Sequence, residues 1–402
     1  MIALAVAAYA LLQSGSPAQA PASPNGPLEK MRQSGADLSA IYASFAQSFV
    51  AGGRDDTWRF GGKLMPKLRL DGGKLGLWPG LFVTLTGEFA HGRNANLLGG
   101  TLLPPNTAHR FPKDGAESAD LSLTVTQAFS PKVVLTAGKF NMIDNASRTP
   151  ILGGGGFDTF WNVAFAAPAT GVIPAYITGV SLAVNTETAQ ITAMIYDPRN
   201  AQRKVGLKGW GSRGVSGRLG VTFPVKVNGL DGFHNFAFVT SSQTGVDLAD
   251  IPQLILPPGN SVALGRKQGY YFGSYSVQQY ISQVPGRPGA GWGVFGQASV
   301  SEGNPNPIAG TLLAGLAGNG VSRQRPLDRF GVAYAKYFLS QDLLRGLESV
   351  GINLVAEQVV ETYYSFAVTP WFRLIGDLQI IDPGVRSFGR SVFLGVGAQF
   401  RF

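Results

Sequence analysis

The chain closes on SVFLGVGAQFRF, Ser391 to Phe402. Taken alternately, Val392, Leu394, Val396, Ala398, Phe400 and Phe402 form one continuous apolar series. The residues between them, Ser391, Phe393, Gly395, Gly397, Gln399 and Arg401, are mostly small or polar. Successive side chains of a strand point to opposite faces, so a strict period of two predicts a strand with different surroundings on its two sides. The apolar side meets either a protein core or lipid, and the remainder of the chain decides between them.

Charged residues make up only 14% of the 402 residues, against roughly 25% in a typical soluble domain. Gly is abundant at 54 and Pro reaches 25, the punctuation of many strands and turns. The length would suffice for two or three soluble domains, but no linker or internal repeat divides it, and β-barrels commonly exceed the usual domain size. The net charge of +9 comes from dispersed Lys and Arg, without a basic helix or long basic run, which argues against a nucleic-acid partner. There is no Cys, hence no disulfide, thiolate metal site or thiol nucleophile.

Residues 1–20, MIALAVAAYALLQSGSPAQA, read as an export signal: a short apolar run, Ile2–Leu12, precedes the small-x-small site Ala18-Gln19-Ala20. No Lys or Arg stands before the apolar run, which departs from the usual pattern. Residues 21–40 are expected to form a periplasmic leader, with a short helical or irregular stretch at Leu28–Leu38, and residues 41–402 one barrel domain. Beyond the signal no eighteen consecutive apolar residues occur, so any membrane span must be built of strands.

Several segments repeat the alternation of the last one. In LFVTLTGEF, Leu81, Val83, Leu85, Gly87 and Phe89 oppose Thr84, Thr86 and Glu88. In LSLTVTQAF, Leu121, Leu123 and Val125 oppose Ser122, Thr124 and Thr126. AQITAMIY, VSGRLGVTF, GINLVAEQVVETYYSFAV and FRLIGDLQII behave alike. The polar faces hold Thr, Ser, Gly, Gln and Asn with an occasional lone Arg or Glu, unlike the Lys- and Glu-rich outer face of a soluble sandwich. Segments of about ten residues, apolar outward and polar inward, predict an antiparallel transmembrane β-barrel around a water-filled lumen. Fourteen or fifteen strands stand out, and closure with both termini on one rim requires an even number, giving sixteen. Arg93–Ala119, Asp144–Ala175, Gly245–Gln268 and Pro305–Asp328 are expected as long extracellular or infolded loops, and Ser130–Lys132 and Asn185–Ala189 as short turns. Trp78, Trp161, Tyr270, Tyr271, Trp292, Tyr363, Tyr364, Trp371 and Phe402 lie near strand ends, where aromatic girdles belong.

Sites of chemistry are few. Gly209–Gly214 matches GxGxxG, but a strand follows where a dinucleotide site needs a helix. Gly153–Gly156 lacks the Lys-Ser/Thr of a phosphate loop and reads as a mobile loop. The three histidines, His91, His109 and His234, show no metal-ligand spacing, and no Ser carries a nucleophile-elbow sequence. The sequence therefore points to no enzyme, no metal and no cofactor.

With the barrel argued, ordered stretches resemble the carbohydrate-selective porin family of Gram-negative outer membranes, the OprB-type porins. KLGLWPG (Lys74–Gly80) with TGEF (Thr86–Phe89), LTAGKFNMID (Leu135–Asp144), SEGNPNP (Ser301–Pro307), and Glu357, Glu361, Tyr363-Tyr364, VTPW (Val368–Trp371) and GDLQIIDPG (Gly376–Gly384) carry the likeness over residues 60–402. The family's N-terminal WGG-type stretch is missing. The resemblance implies passive, selective diffusion of small neutral sugars, such as glucose, through the outer membrane, in contact with lipids and lipopolysaccharide. It also implies recognition by the assembly machinery through the last strand and Phe402, and association into homotrimers.

Sugar hydroxyls donate and accept hydrogen bonds, and pore diameter and lining groups set selectivity. Strand parity nominates Arg69, Glu88, Arg218, Asn353, Glu357, Glu361, Arg373, Asp377 and Arg401 as lumen-facing, and the GNPNP loop adds Asn304 and Asn306. Glu357 and Glu361, about 13 Å apart at strand rise, would line successive depths of the channel. A general or anion-preferring channel, a membrane-anchored hydrolase and a soluble β-sandwich remain as alternative readings.

Overall fold

The computed structural model describes residues 26–111, 117–255, 264–284, 289–320, 322 and 324–402. The expected export signal and the start of the leader lie outside the described residues. Sixteen antiparallel strands close into one barrel, each paired with its sequence neighbours and the first with the last. They are β1 (Ala36–Ala51), β2 (Arg59–Asp71), β3 (Leu81–Gly92), β4 (Glu117–Ser130), β5 (Val133–Asn141), β6 (Tyr176–Asn185), β7 (Gln190–Tyr196) and β8 (Ser216–Val227). The second half comprises β9 (Leu230–Val246), β10 (Arg266–Gln283), β11 (Gly291–Ser301), β12 (Ile308–Asn319), β13 (Arg329–Leu339), β14 (Glu357–Ala367), β15 (Phe372–Asp382) and β16 (Ser391–Arg401).

The closing strand shows why the barrel belongs in lipid. Ile41 pairs with Arg401 and Phe49 with Phe393, and Phe402 N donates to Ala40 O at 2.9 Å. Closure leaves no unpaired backbone edge, the condition for strands in hydrocarbon. Val396 on β16, Leu374, Leu378 and Ile380 on β15, and Leu121, Leu123 and Val125 on β4 are exposed outward, and no second layer of the described chain covers them. The connections at 131–132, 186–189 and 228–229 are short and share one rim, while long loops crowd the other. Short turns mark the periplasmic rim of such barrels and long loops the extracellular one.

Several boundaries differ from the sequence reading. The first strand begins at Ala36, inside the expected leader, and follows a helix at Pro27–Ser34 that ends on Gly35 at φ 103°. Pro305–Asp328 is not one loop, because β12 occupies Ile308–Asn319. Its sequence, IAGTLLAGLAGN, alternates weakly, since Gly and Ala stand on both faces. Residues 197–215 form a long connection instead, and it contains the GxGxxG stretch. KLGLWPG lies in the turn before β3, where Trp78 Nε1 donates to Gln127 Oε1 at 2.7 Å. Trp78, Tyr271, Tyr364, Trp371 and Phe402 are exposed outward, but Trp161 and Tyr363 are buried inside the barrel and Tyr270 packs inward.

The largest departure concerns the lumen. The loop 142–175 folds into the barrel and carries an apolar core with it: Ile151, Phe157, Phe160, Trp161 and Phe165 pack on inner-wall Phe45, Phe295, Tyr363 and Phe393. Trp161 meets Phe45 edge-on at 5.1 Å, and Phe160 meets Tyr363 edge-on at 4.8 Å. Gly153–Gly156, expected as a mobile loop, is buried in this core, and a Cβ on Gly154 would stand 2.5 Å from Ala146 O. The inner face of β16 thus borders protein rather than water. A Cβ on Gly395 would lie 2.2 Å from Trp161 Cζ3, and one on Gly397 2.9 Å from Cζ2. The two glycines are a bed for the indole.

Gly395→Leu is therefore expected to push Trp161 off the wall, at an overpacking cost of about 1–3 kcal/mol. Single-channel recordings should show raised conductance, with the heat-dependent gel migration of a folded barrel retained. Unchanged conductance would show that the indole does not rest there.

Candidate channel and its constriction

The infolded loop starts where Asn141, at the end of β5, caps the short helix Met142–Ala146: its Oδ1 accepts from Ile143 N at 2.9 Å and Asp144 N at 3.1 Å, and its Nδ2 donates to Glu88 at 2.9 Å. An Asn side chain in this position satisfies helix N–H groups that otherwise lack partners. Asp144 then receives Lys67 Nζ of β2 at 3.1 Å. A few residues on, Gln278 Oε1 of β10 accepts from Ile151 N at 2.8 Å and Leu152 N at 3.2 Å. β2 and β10 stand on opposite sides of the sixteen-strand ring. Residues 144–151, which reach at most roughly 25 Å when extended, are thus a strut across the lumen.

On the β11–β1 side of the strut the barrel is filled. Glu361 on β14 accepts the backbone N–H of Trp161, in a short bond, and that of Asn162 at 3.2 Å. Asn162 Nδ2 donates to Gln379 Oε1 at 3.0 Å, and Gln379 Nε2 donates to Pro105 O and Asp377 Oδ1, both at 2.8 Å. Loop residue Asp158 meets Arg401 at 2.7 Å, Arg329 at 3.5 Å and Arg373 at 3.7 Å. Burial alone would raise the Asp158 carboxyl, but Arg401, Arg329 and Arg373 outweigh it and hold it well below the usual carboxylate range. Burial likewise opposes ionisation of Asp144, and Lys67 and Arg148 hold that carboxyl low.

The remaining passage runs along β3–β9. By strand register its inner faces carry the partly exposed Thr84, Thr124, Thr126, Thr136, Ser181, Thr192, Thr222 and Asn235, with Thr86 and Ser122 buried beside them. On the inner faces of β5–β9 the Arg218 side chain stands between Met194 and Val239, while Lys139 near the end of β5 is buried in an ion pair with Asp120. The strut side presents Asp144, Asn145 and the exposed Arg148. Towards the periplasmic rim the Arg69 guanidinium lies 4.2 Å from the centre of the Phe82 ring.

The eleven residues nominated from sequence divide accordingly. Arg69 and Arg218 face the passage. Glu88 is buried against Lys63, 2.5 Å away. Glu357 is a buried loop anchor that accepts Leu102 N at 2.7 Å, Leu103 N at 2.8 Å and Gly384 N at 2.8 Å, so neither it nor Glu361 lines open channel. Arg373, Arg401 and Asp377 are buried in the filled half. Asn304 joins loops by donating to Asp247 at 2.8 Å and Asp342 at 2.7 Å. Buried Asn306 donates to Thr170 O at 2.9 Å, pinning the end of the infolded loop. Asn353 is exposed in the connection before β14, which starts only at Glu357, so strand parity does not reach it. Lys67, Asp144, Arg148, Asp158, Gln278 and Arg329 were missed. Lys67 and Arg329 sit at readable inward positions, whereas the three loop residues obey no strand period.

A closed barrel with a lipid-facing exterior and a hydroxyl-lined passage beside an infolded loop defines an outer-membrane diffusion porin. Residues 56–402 match the carbohydrate-selective porin, OprB family, and the chain belongs to it. The protein is accordingly a sugar-selective porin of a Gram-negative outer membrane. Among solved structures, it is similar to Pseudomonas putida OprB at high pH, with 20% identity and a TM-score of 0.79 over 93% of this chain and 96% of that one. The low-pH structure of the same protein gives 17% identity and 0.55 over 93% and 95%. OmpT of Vibrio cholerae gives 10% and 0.51 over 91% and 97%. These likenesses show the fold. Comparison with curated proteins finds no match.

Asp158→Asn should destabilise the protein by about 3–5 kcal/mol, because the buried guanidiniums of Arg373 and Arg401 and the half-buried one of Arg329 lose their carboxylate. Since the folded carboxyl titrates below its usual 3.8, its contribution is complete above that value and is lost as pH falls below it. Thermal unfolding at pH 7 and pH 3 should show a larger acid loss for the wild type than for the variant. Equal losses would mean that Asp158 does not carry the loop.

Proposed function

We propose that monosaccharides cross between the strut and β3–β9, with Arg148, Asp144 and Arg218 contacting hydroxyls at the narrowest part and the Arg69–Phe82 pair below it. The strut placed by Lys67 and Gln278 carries this reading, because it halves the lumen and leaves a wall of hydroxyls, with Arg218 among them, facing Asp144 and Arg148. A hydroxyl wall exchanges hydrogen bonds with a sugar without holding it tightly, and weak binding lets solute leave. The Phe82 ring offers a flat surface for sugar C–H groups. Glu88 supports the site from behind through Lys63 and Asn141.

The same reading assigns no reaction and no cofactor. His109 is buried with its ring bonded to Gln47 at 2.9 Å and His91 O at 2.9 Å, while His91 pairs with Tyr42 and His234 with Tyr275. Each ring is bonded to an amide, a backbone carbonyl or a phenol, and none to a carboxylate among the described residues. An anion preference is the second reading, favoured by Lys67, Arg148 and Arg218 against Asp144 at the constriction.

Liposomes carrying the protein should swell faster in glucose than in a zwitterion of similar size, and Arg218→Ala should reduce that preference severalfold. Equal swelling in both solutes would remove the sugar preference. A reversal potential in a KCl gradient that reports strong anion selectivity, abolished in Arg218→Ala, would establish the second reading instead.

A further inference from the structure

Charge along the passage is unevenly matched. Among the described residues, the carboxylates on the inner faces of β3–β9 and on the strut each have a lysine of their own: Glu88 has Lys63, Asp120 has Lys139, Asp144 has Lys67 and Asp231 has Lys226. Two guanidiniums have no such match. The side chains of Arg148 on the strut and Arg218 on β8 make no hydrogen bond or ion pair with any described residue. Arg148 adds to the field that keeps Asp144 ionised, but Lys67 is the group that touches that carboxylate. Positive charge thus faces the passage from both of its walls, with no carboxylate left over to balance it.

The surroundings of Arg218 show what this surplus suits. Its guanidinium lies along Gly220, the next inward position of β8, where a Cβ would stand 3.0 Å from Nη1 and 3.2 Å from Nη2. Gly220 pairs with Thr192 of β7, and the inward position after it is Thr222. Thr222 Oγ1 already accepts from Asn235 Nδ2 at 2.8 Å, so its own proton is left to donate. A planar fork of N–H donors therefore stands beside hydroxyls on one patch of wall. Such a fork meets a carboxylate with two parallel bonds, and charge assistance makes them stronger than bonds to a neutral hydroxyl. Glucose would use the hydroxyls and leave both cations unbalanced. An anion without hydroxyls would do the reverse.

We infer that the passage favours sugar acids of the uronate kind, solutes that carry a carboxylate on a polyhydroxylated ring. The Arg218 fork takes the carboxylate, Thr192 and Thr222 exchange hydrogen bonds with the ring, and Arg148 draws the solute in from the strut side. Surplus positive charge along a passage raises the local concentration of anions and their entry rate. Arg148 is exposed and Arg218 half-buried, so water competes for both and the carboxylate is released again. The assignment rests on the route between the strut and β3–β9 proposed above. It differs from a plain anion preference in requiring hydroxyls as well as charge.

The test compares three solutes built on a six-membered ring in liposome swelling with the full-length porin: glucose, glucuronate and cyclamate, the last an anion without hydroxyls. The two anions enter as potassium salts, with valinomycin carrying the counter-ion. Glucuronate should enter the wild type severalfold faster than either glucose or cyclamate. In the double variant Arg148→Gln, Arg218→Gln the ratio of glucuronate to glucose rates should fall to about one or below, because the unmatched charge is gone. Glucuronate no faster than glucose, cyclamate level with glucuronate, or an unchanged ratio in the double variant would each overturn the inference. The first of these, with glucose still ahead of a zwitterion, would leave the neutral-sugar reading standing. Glucose level with the zwitterion while glucuronate leads would remove that reading alone. If the double variant does not fold, Arg218→Lys, which keeps the charge without the fork, and the order of the three solutes in the wild type decide.

Discussion

One carboxylate on the barrel wall organises the interior. Glu361 takes the backbone N–H groups of Trp161 and Asn162 where the infolded loop reaches the far wall, and it is buried as it does so. A buried carboxylate is tolerated only where donors surround it, and buried N–H groups equally require an acceptor. Each side therefore fixes the other. From this contact follow the seating of Trp161 on Gly395 and Gly397, the approach of Asp158 to three arginines, and the confinement of the passage to β3–β9. The channel is a remainder, defined by what the loop leaves unfilled.

The same arrangement separates two kinds of charge inside one barrel. In the filled half Asp158, Glu361, Glu357 and Arg401 are dry and bound to fixed partners, so they serve the shape of the loop. In the open half Arg148 is exposed and Arg218 half-buried, and the function proposed above has them exchange partners with a passing solute. A lumen-facing position on a strand thus has two fates, and the loop decides between them. This explains how a chain of +9 net charge can keep a hydroxyl-rich route for neutral sugars.

How much the sequence disclosed follows from the range of its signals. Period-two alternation is local, and it located the outward faces of β3, β4 and β14–β16 together with the inward parity of Arg69, Glu88, Arg218 and Arg401. It lost β12, where small residues on both faces removed the contrast, and it failed at Asn353, where the strand had not yet begun. The filled lumen was hidden for a different reason. Gly395 and Gly397 look alike whether they face water or an indole, and only the distant Trp161 distinguishes the two. Family resemblance named the solute class, but pairings such as Lys67 with Asp144 arise from a loop that follows no repeat.

The absence of Cys from the sequence permits a direct measurement of where solute travels. Single cysteines at Ser181 or Thr192 on the open side, and at Ala335 or Ile375 on the filled side, would be treated with a charged thiol reagent during conductance recording. The account predicts rapid labelling and a step down in current for Ser181→Cys and Thr192→Cys, with no reaction at Ala335→Cys or Ile375→Cys. Labelling and block at the filled-side positions, with silence at the open-side ones, would contradict it.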